Sequence, residues 1–312
     1  MNERALGLLL GYGADRLLGD PRRAHPVAAF GTWAMACERR LYAPTRARGT
    51  CFLVVTTAPW VGVALLASHG PNSRPLVTAA VTWAALGGRS LEREALAVHE
   101  LLFEGDLEGA RRRIRSLVGR DTSALEADAL ARAVVESLAE NQSDAVAATL
   151  VWGALAGAPG IVLHRCVNTL DAMVGHRSER YADFGWAAAR LDDVLNWLPA
   201  RVSLLATAAV AGATDGTSAA RRVLTGASRD GARHPSPNAG PVEAAAAYAL
   251  GVQLGGLTTY GGRVEDRGQL GDGRPVSVRD IRRAATLTRQ VGLVVLGAAV
   301  TATAMGGRLQ CR

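Results

Sequence analysis

Three long uncharged segments constrain the fold of this chain more than any other feature. They are apolar runs at positions 51–68, 145–163 and 291–307. Each is close to the roughly 20 residues that an α-helix needs to cross the hydrocarbon layer of a membrane. Three such runs are hard to accommodate in a soluble protein, so we expect a membrane-embedded chain. A soluble all-helical bundle is the alternative.

Shorter apolar stretches lie at 76–88, 202–213 and 244–257. Their length fits tilted or re-entrant membrane helices, or the buried helices of a core. Glycines and prolines predict loops at 226–241 and 261–276. No segment alternates convincingly with a period of two, so we expect little or no sheet. The predicted fold class is all-α: a polytopic integral-membrane helical bundle with short or re-entrant helices.

The segment 89–143 is charged and amphipathic, unlike its surroundings. It predicts a cytoplasmic helical hairpin followed by a third helix. Ser123 and Glu126 have the spacing of a capping box, which should start that third helix near Ala124. We therefore expect one membrane-embedded domain over 1–312, with 89–143 as an amphipathic helical insertion.

Arginines flank the first two apolar stretches on one side. The loop between these stretches carries Arg74, whereas several arginines precede the first stretch and two follow the second: Arg39, Arg40, Arg46, Arg48, Arg89 and Arg93. Positive residues beside membrane helices mark the cytoplasmic side. We expect a 51–88 hairpin with both ends in the cytoplasm.

The formal net charge is +7, and arginine supplies all the positive charge of basic side chains counted in it, because the chain contains no lysine. The arginines are scattered between apolar runs, which argues against nucleic acid and for membrane lipid as the partner. Without lysine, neither a Walker A loop nor a Schiff base to pyridoxal phosphate is possible. Four widely spaced cysteines form no zinc pattern. The sequence leaves the oligomeric state open.

Three acids in the motif ESLAENQSD recur every four residues: Glu136, Glu140 and Asp144. This spacing predicts one shared side of the third helix. A solvated helix face is the simpler interpretation. Their position at the start of the uncharged run 145–163, beside Asn141, favours magnesium binding, because that ion prefers oxygen ligands.

Two further polar clusters follow the run 145–163. In the first, Arg165, Asn168 and Asp171 are spaced by three, and Arg180 follows in a turn. In the second, helical spacing pairs four residues: Arg190 with Asp193, and Asp192 with Asn196. Arginine captures carboxylate or phosphate with two parallel hydrogen bonds, although a single interfacial arginine more often only snorkels. An Asp-Asp pair also suits the metal–diphosphate chemistry of membrane prenyltransferases.

The motif RHPSPNAG predicts a rigid polar loop before a helix that begins near Glu243. A lone histidine is most often structural. His234, beside an arginine and just before that helix, is instead placed to face an anion.

The acids at 136–144 and the cluster at 165–201 share a site only if the segment between them does not cross the membrane. The sequence Gly157-Ala158-Pro159-Gly160 interrupts that segment and would let it dip and return. We predict a re-entrant or broken helix there.

Several motifs occur together in one order: DRLLGDP with HPV, ESLAENQSDAV, RCVNTLDAMVGHRSERYADFGWAAARLDDVLNWLPAR, and RHPSPNAG before LGVQLGG. In this combination, nearly the whole chain resembles the CobD/CbiB family. The family pattern leads us to expect a proline near Ala148, an aromatic residue at His164 and another near Pro241. None of these departures removes a charged residue.

The resemblance implies adenosylcobinamide-phosphate synthesis in cobalamin biosynthesis. The free propionate of adenosylcobyric acid would form an amide with aminopropanol or its phosphate, using ATP and magnesium but neither pyridoxal phosphate nor zinc. It also implies a multi-pass protein of the cytoplasmic membrane with its active site facing the cytoplasm. The alternatives are a membrane prenyl- or phosphotransferase and a non-catalytic corrinoid-sensing or transport protein.

We assign candidate roles to the polar residues of these motifs under that reading. The predicted catalytic residues are Glu136, Glu140, Asp144, Asp192, Asp193 and His234. The predicted magnesium ligands are Glu136, Glu140, Asp192 and Asp193. The predicted substrate-binding residues are Asp15, Asp20, His25, Asn141, Arg165, Asn168, Asp171, Arg180, Arg190, Asn196, Arg201, Arg233 and Asn238.

Overall fold

The structure is a computed structural model that describes residues 2–21, 25–70, 73–119, 121–176, 178–260 and 263–309. It divides into two compact units. The first unit comprises Met1–Gly87, Asp144–Leu198 and Leu296–Arg312, and the second comprises Gly88–Ser143 and Pro199–Val295. The predicted insertion 89–143 thus lies in the second unit together with 199–295. Whether the whole chain forms a single domain stays a prediction.

Within the described residues, helices dominate. They are α1 (Glu3–Leu18), α2 (Pro26–Leu41), α3 (Arg46–Ala67), α4 (Arg74–Leu86), α5 (Gly88–Phe103), α6 (Leu107–Arg113), α7 (Ala127–Asn141), α8 (Ala148–Leu170), α9 (Trp186–Asp215), α10 (Thr217–Asp230), α11 (Ala239–Leu250) and α12 (Asp280–Leu309). Three strands follow α11: β1 (Val252–Tyr260), β2 (Arg263–Leu270) and β3 (Arg274–Pro275).

Four helical segments of the described chain are long and apolar enough to cross a membrane: Arg46–Ala67, Ala127–Gly175, Trp186–Asp215 and Asp280–Met305. Three of them cover the three long runs predicted from sequence, to within two residues at the ends. Only 28% of the most apolar 18-residue stretch of α3 is buried. Val63 and Leu66 in this helix are 67% and 74% exposed. Exposure of these apolar side chains to water would cost free energy, whereas contact with lipid tails would not. The predicted all-α membrane fold is confirmed.

The first unit packs its helices closely where side chains are small. A Cβ atom at Gly7 of α1 would lie 2.6 Å from Cβ of Thr78 in α4, and one at Gly11 would lie 2.5 Å from Cβ of Thr82. Glycines four residues apart let two helix backbones approach, which is how membrane helices gain van der Waals contact without a hydrophobic driving force. The residues Gly7 and Gly11 therefore fix α1 against α4.

Helix α8 is broken at Gly157, where φ is +68° and ψ is −155°. This backbone conformation is essentially restricted to glycine. Pro159 follows and lacks the N–H that a continuous helix would need. Arg4 Nη1 donates to the carbonyl oxygen of Leu155 at 2.9 Å, which satisfies one of the carbonyls that the break leaves free. The break divides α8 into a first limb, 148–156, and a second limb, 158–170.

The two limbs of α8 fold back on one another. Trp152 Nε1, on the first limb, donates to the carbonyl of Leu195 at 3.0 Å. His164 Nε2, on the second limb, lies 2.7 Å from Oδ1 of the next residue of α9, Asn196. In a straight helix, residues 152 and 164 would be about 18 Å apart. The predicted re-entrant or broken helix is therefore confirmed as a break with a reversal of direction.

The second unit has its own apolar core, built from α5, α7, α10 and α11 and from the ends of the sheet. Strands β1 and β2 pair antiparallel, with a bulge between Gly255 and Leu257. Asp230, at the end of α10, accepts hydrogen bonds from Tyr248 of α11 at 2.7 Å and from the N–H of Gly271 at 3.2 Å. This carboxylate thus joins two helices to the end of β2.

Several local predictions are wrong. The third helix begins at Ala127, after an N-cap Glu126 that makes no side-chain capping bond, so Ser123 does not start it. Helix α10 extends through Asp230 into the predicted loop 226–241. The predicted loop 261–276 contains β2 and β3. The apolar stretch 244–257 divides at a left-handed glycine, Gly251, into the end of α11 and the start of β1.

Gly157→Ala tests the break in α8. A Cβ atom is strained at this φ and ψ, so we expect a loss of about 1–3 kcal/mol in the free energy of unfolding in detergent. Gly13→Ala is the matched control, because Gly13 is helical and no atom lies within 4 Å of its added Cβ. That change should stabilise by up to about 1 kcal/mol. Equal stabilities of the two variants would contradict the assigned break.

Candidate functional site

Asp192 lies at the centre of a hydrogen-bond network that joins α8 to α9 in the first unit. Asn196 Nδ2 donates to Asp192 Oδ2 at 2.9 Å, and Asn168 Nδ2 donates to Asp192 Oδ1 at 3.3 Å. Asp192 is 9% exposed and Asn196 is 1% exposed. A buried carboxylate is costly unless it is hydrogen-bonded, and the two amides reduce that cost. The predicted i, i+4 contact between Asp192 and Asn196 is confirmed.

Arg165 connects this network to two more acids. Its Nη1 donates to Asn168 Oδ1 at 3.4 Å. The guanidinium also interacts electrostatically with Asp20 and Asp144. Residues 144 and 165 would be about 31 Å apart along a straight helix. The reversal in α8 is what brings Asp144 and Arg165 to one end of the first unit.

The carboxylates of this region are close enough to affect one another. Asp171 and Asp193 both interact electrostatically with Asp192. Asp193 also pairs with Arg190 at 3.6 Å, as the spacing of three predicts. We call Asp20, Asp144, Arg165, Asn168, Asp171, Asp192, Asp193 and Asn196 the acidic cluster. It collects eight of the predicted site residues from three separate parts of the sequence.

Other predicted residues of the first unit have structural contacts. His25 caps α2, because its Nδ1 accepts the N–H of Val27 at 3.2 Å. Arg180 donates to Glu38 at 3.0 Å and lies 4.3 Å from the ring centroid of Tyr42. Asp15 is 1% exposed within α1. A role in substrate binding stays a prediction for these three residues.

Glu136 and His234 belong to the second unit. Glu136 is 1% exposed. Its Oε1 accepts the N–H of Gly255 at 2.9 Å and lies 3.9 Å from Nε of Arg132. The carboxylate of Glu136 thus holds the bulge of β1 against α7.

His234 is 6% exposed and is hydrogen-bonded through one ring nitrogen. The N–H of Ser236 donates to Nδ1 at 3.0 Å. Burial and the nearby Arg267 guanidinium lower the pKa of His234 to about 4, although the backbone of Ser236 and the Glu136 carboxylate oppose this shift. His234 is therefore neutral near pH 7.

The remaining predicted residues of the second unit differ in their hydrogen bonds and in their burial. Arg201 Nη1 donates to Asn238 Oδ1 at 2.9 Å, which joins α9 to the loop before α11. Asn141 donates to the carbonyl of Ser137 at 2.9 Å, one turn back in α7. Arg233 is exposed, and Glu140 is partly buried. The predicted site residues thus belong to both units. Their assembly into one site stays a prediction.

Some buried polar residues were not predicted as site residues from the sequence. Glu243 is fully buried, and its Oε1 lies 3.6 Å from Nη1 of Arg267. Glu243 could have been singled out from the sequence, because it is the one charged residue in the alanine-rich segment AGPVEAAAAYAL. Arg267 carried no signal, because it lies in a segment predicted to be a loop. His164 was noted only as a departure from an expected aromatic residue, yet it is 1% exposed and contacts Asn196.

The described residues contain no group of three or more acids, histidines or cysteines arranged to hold a metal ion by themselves. Magnesium usually keeps several waters and binds through one or two carboxylates together with substrate phosphates. The neighbouring acids Asp171 and Asp193 fit that mode, whereas the Asp192 carboxylate already accepts hydrogen bonds from two amides. Glu136 fits it less well, because its carboxylate already accepts a backbone N–H and faces Arg132.

The low pKa of His234 predicts how stability changes with pH. Since the pKa is about 4 in the folded state and 6.5 ordinarily, unfolding takes up a proton between these values. His234 should therefore lower the free energy of unfolding as the pH falls from 6.5 to 4, by up to about 3 kcal/mol. In His234→Gln, denaturant unfolding at several pH values should show a shallower fall. The same slope in both proteins would contradict the assigned burial.

Comparison with known proteins identifies the family of this chain. The CobD/Cbib protein family model matches residues 8–288. The cobalamin biosynthesis protein CobD of Mycobacterium tuberculosis strain H37Rv is 46% identical over 301 residues, covering 96% of this chain and 95% of that protein. The proteins of the same name from Chromobacterium violaceum and Rhodobacter capsulatus are 43% and 38% identical, covering 92% and 95% of this chain and 92% and 98% of their own lengths. No solved structure matches at a significant level. The chain therefore belongs to the CobD/CbiB family and is an enzyme of cobalamin biosynthesis.

Proposed function

We propose that this enzyme joins the free propionate of adenosylcobyric acid to aminopropanol, or to its phosphate ester, through an amide bond. Membership of the CobD/CbiB family supports the pathway. A carboxylate is a poor acyl donor, so the reaction needs ATP to phosphorylate it, which releases ADP; the amine then attacks the acyl carbon and displaces inorganic phosphate. Magnesium, when bound, neutralises phosphate charge during such a transfer.

The acidic cluster is the observation that carries this proposal. An amine substrate arrives as an ammonium ion and must lose a proton before it attacks a carbonyl carbon. Carboxylates bind the ammonium group, and one of them accepts the proton. Asp192 suits this role, because two amides fix its orientation and Asp171 and Asp193 add negative charge beside it.

Arg165 supplies the opposite charge in the same cluster. Its guanidinium is held by Asn168 and faces the carboxylates of Asp20 and Asp144. Arginine also binds carboxylate and phosphate groups. We assign Arg165 to the propionate or its phosphorylated form, which would bring the acyl carbon next to the amine held at Asp192.

Asp171 and Asp193 would hold magnesium together with the phosphates of ATP, while Asp192 keeps the role of proton acceptor. The acid Glu140 stays a candidate ligand from the sequence. We place the reaction at the cytoplasmic face of the cell membrane, because ATP is available there and because arginines flank the 51–88 hairpin on that side.

Turnover by purified protein tests the proposal. In detergent, with adenosylcobyric acid, ATP, magnesium and each amine in turn, mass spectrometry should detect the cobinamide product with at least one amine. Asp192→Asn should lower the rate by about 100-fold or more, since general base catalysis contributes at least that factor.

Asp183→Asn is the matched control. Asp183 lies in the same unit, its side chain is 55% exposed, and it pairs with Arg46 at the surface. This variant should keep the rate within about twofold, because exposed ion pairs contribute little. Absence of product with both amines would reject the proposed reaction. Equal rates for the two variants would reject the role of Asp192.

A further inference from the structure

His164 lies behind the acidic cluster, at its most buried edge. It is 1% exposed, and Nε2 is 2.7 Å from Asn196 Oδ1. Asn196 Nδ2 is already used, because it donates to Asp192 Oδ2. The atom of Asn196 that faces His164 is therefore an oxygen, which only accepts. His164 must donate, so its proton is on Nε2.

This hydrogen bond, together with the Asp192 carboxylate, fixes which way the Asn196 amide points. An asparagine side chain fits the same space in two orientations that exchange its oxygen and nitrogen. The Nε2–H of His164 stabilises the orientation with oxygen toward the imidazole. The N–H group then faces Asp192. In the reversed orientation, the amide oxygen would face the Asp192 carboxylate and repel it.

The opposite side of Asp192 is built in the same way. Asn168 donates to Asp192 Oδ1, and behind it Arg165 donates to Asn168 Oδ1 at 3.4 Å. Each amide thus has a donor on its far side and the carboxylate on its near side. Both are held with their N–H groups toward Asp192.

We infer that His164 is a positioning residue for the reaction and acts through Asn196 on Asp192. This inference rests on the proposed function, since it requires Asp192 to take part in the chemistry. His164 touches neither substrate nor reacting atoms in this role. It fixes the rotation of the carboxylate, and so the direction in which Asp192 receives the proton of the amine.

Steady-state kinetics with His164→Phe and His164→Gln test the inference. Phenylalanine fills the space but cannot donate, so kcat should fall about 10–100-fold, as is typical when a supporting hydrogen bond is lost. The KM values for the corrinoid and the amine should change by less than about threefold, because the residue contacts neither. Glutamine offers an N–H donor and should restore kcat to within about fivefold of the original protein.

His69→Phe is the matched control, because it makes the same chemical change at an exposed position of the first unit. It should leave kcat unchanged. A fall in kcat for His164→Gln as large as for His164→Phe would mean that the residue matters only for packing. Unchanged kcat in His164→Phe would also overturn the inference.

Nitrogen-15 NMR of histidine-labelled protein supplies a readout that does not need turnover. The resonance that disappears in His164→Gln should show the tautomer protonated at Nε2. Protonation at Nδ1 would overturn the inference even if the enzyme is active. Failure of the original protein to form product, with the Nε2–H tautomer present, would instead count against the proposed function.

Discussion

The positive φ of Gly157 ends the first limb of α8 and turns the chain back beside itself. The interaction of Asp144 with the rest of the acidic cluster depends on this reversal, because Asp144 precedes the break and Arg165 follows it. From Asp144 to the break, the helix rises only about 20 Å, less than the roughly 30 Å of a bilayer core. The first limb is therefore too short to cross by itself, and Asp144 and Arg165 lie at the same end of the first unit.

The buried carboxylate of Asp192, at the centre of the acidic cluster, is stabilised by the amides hydrogen-bonded to it. Amide and carboxylate groups that are buried without partners cost free energy, and more so where the dielectric constant is low. The chain of donors from His164 through Asn196 to Asp192 meets this requirement with directed bonds. The same bonds that make burial tolerable also fix the orientation of the carboxylate. Under the proposed mechanism, stability and function would thus have one physical origin.

Much of this arrangement was predictable from the sequence. Long apolar runs and helical spacing gave the membrane helices and the contact of Asp192 with Asn196, and the sequence Gly-Ala-Pro-Gly predicted the break. The hairpin of β1 and β2 was missed, because glycines such as Gly255 and Gly268 hide any alternation and the sequence of β2 is as polar as a loop. The start of α7 was misplaced, because a capping-box spacing at Ser123 does not guarantee that the box forms.

Tertiary contacts were beyond the reach of sequence patterns. The spacing of Glu136 suggested a metal ligand, but its carboxylate accepts the N–H of Gly255, which is 119 residues away. Likewise, His164 looked like a simple departure from an aromatic residue until its distance to Asn196 was known. Hydrogen bonds of this kind depend on how distant segments meet, and no local periodicity reports them.

The side of the membrane reached by each end of α8 tests the account most directly. In a variant without its native cysteines, Asp144→Cys and Ala172→Cys would be treated in sealed vesicles with a membrane-impermeant maleimide. Arg48→Cys and His69→Cys, at opposite ends of α3, calibrate the two sides. We expect residues 144 and 172 to react from the same side. Reaction from opposite sides would mean that α8 crosses the membrane and that the acidic cluster does not form.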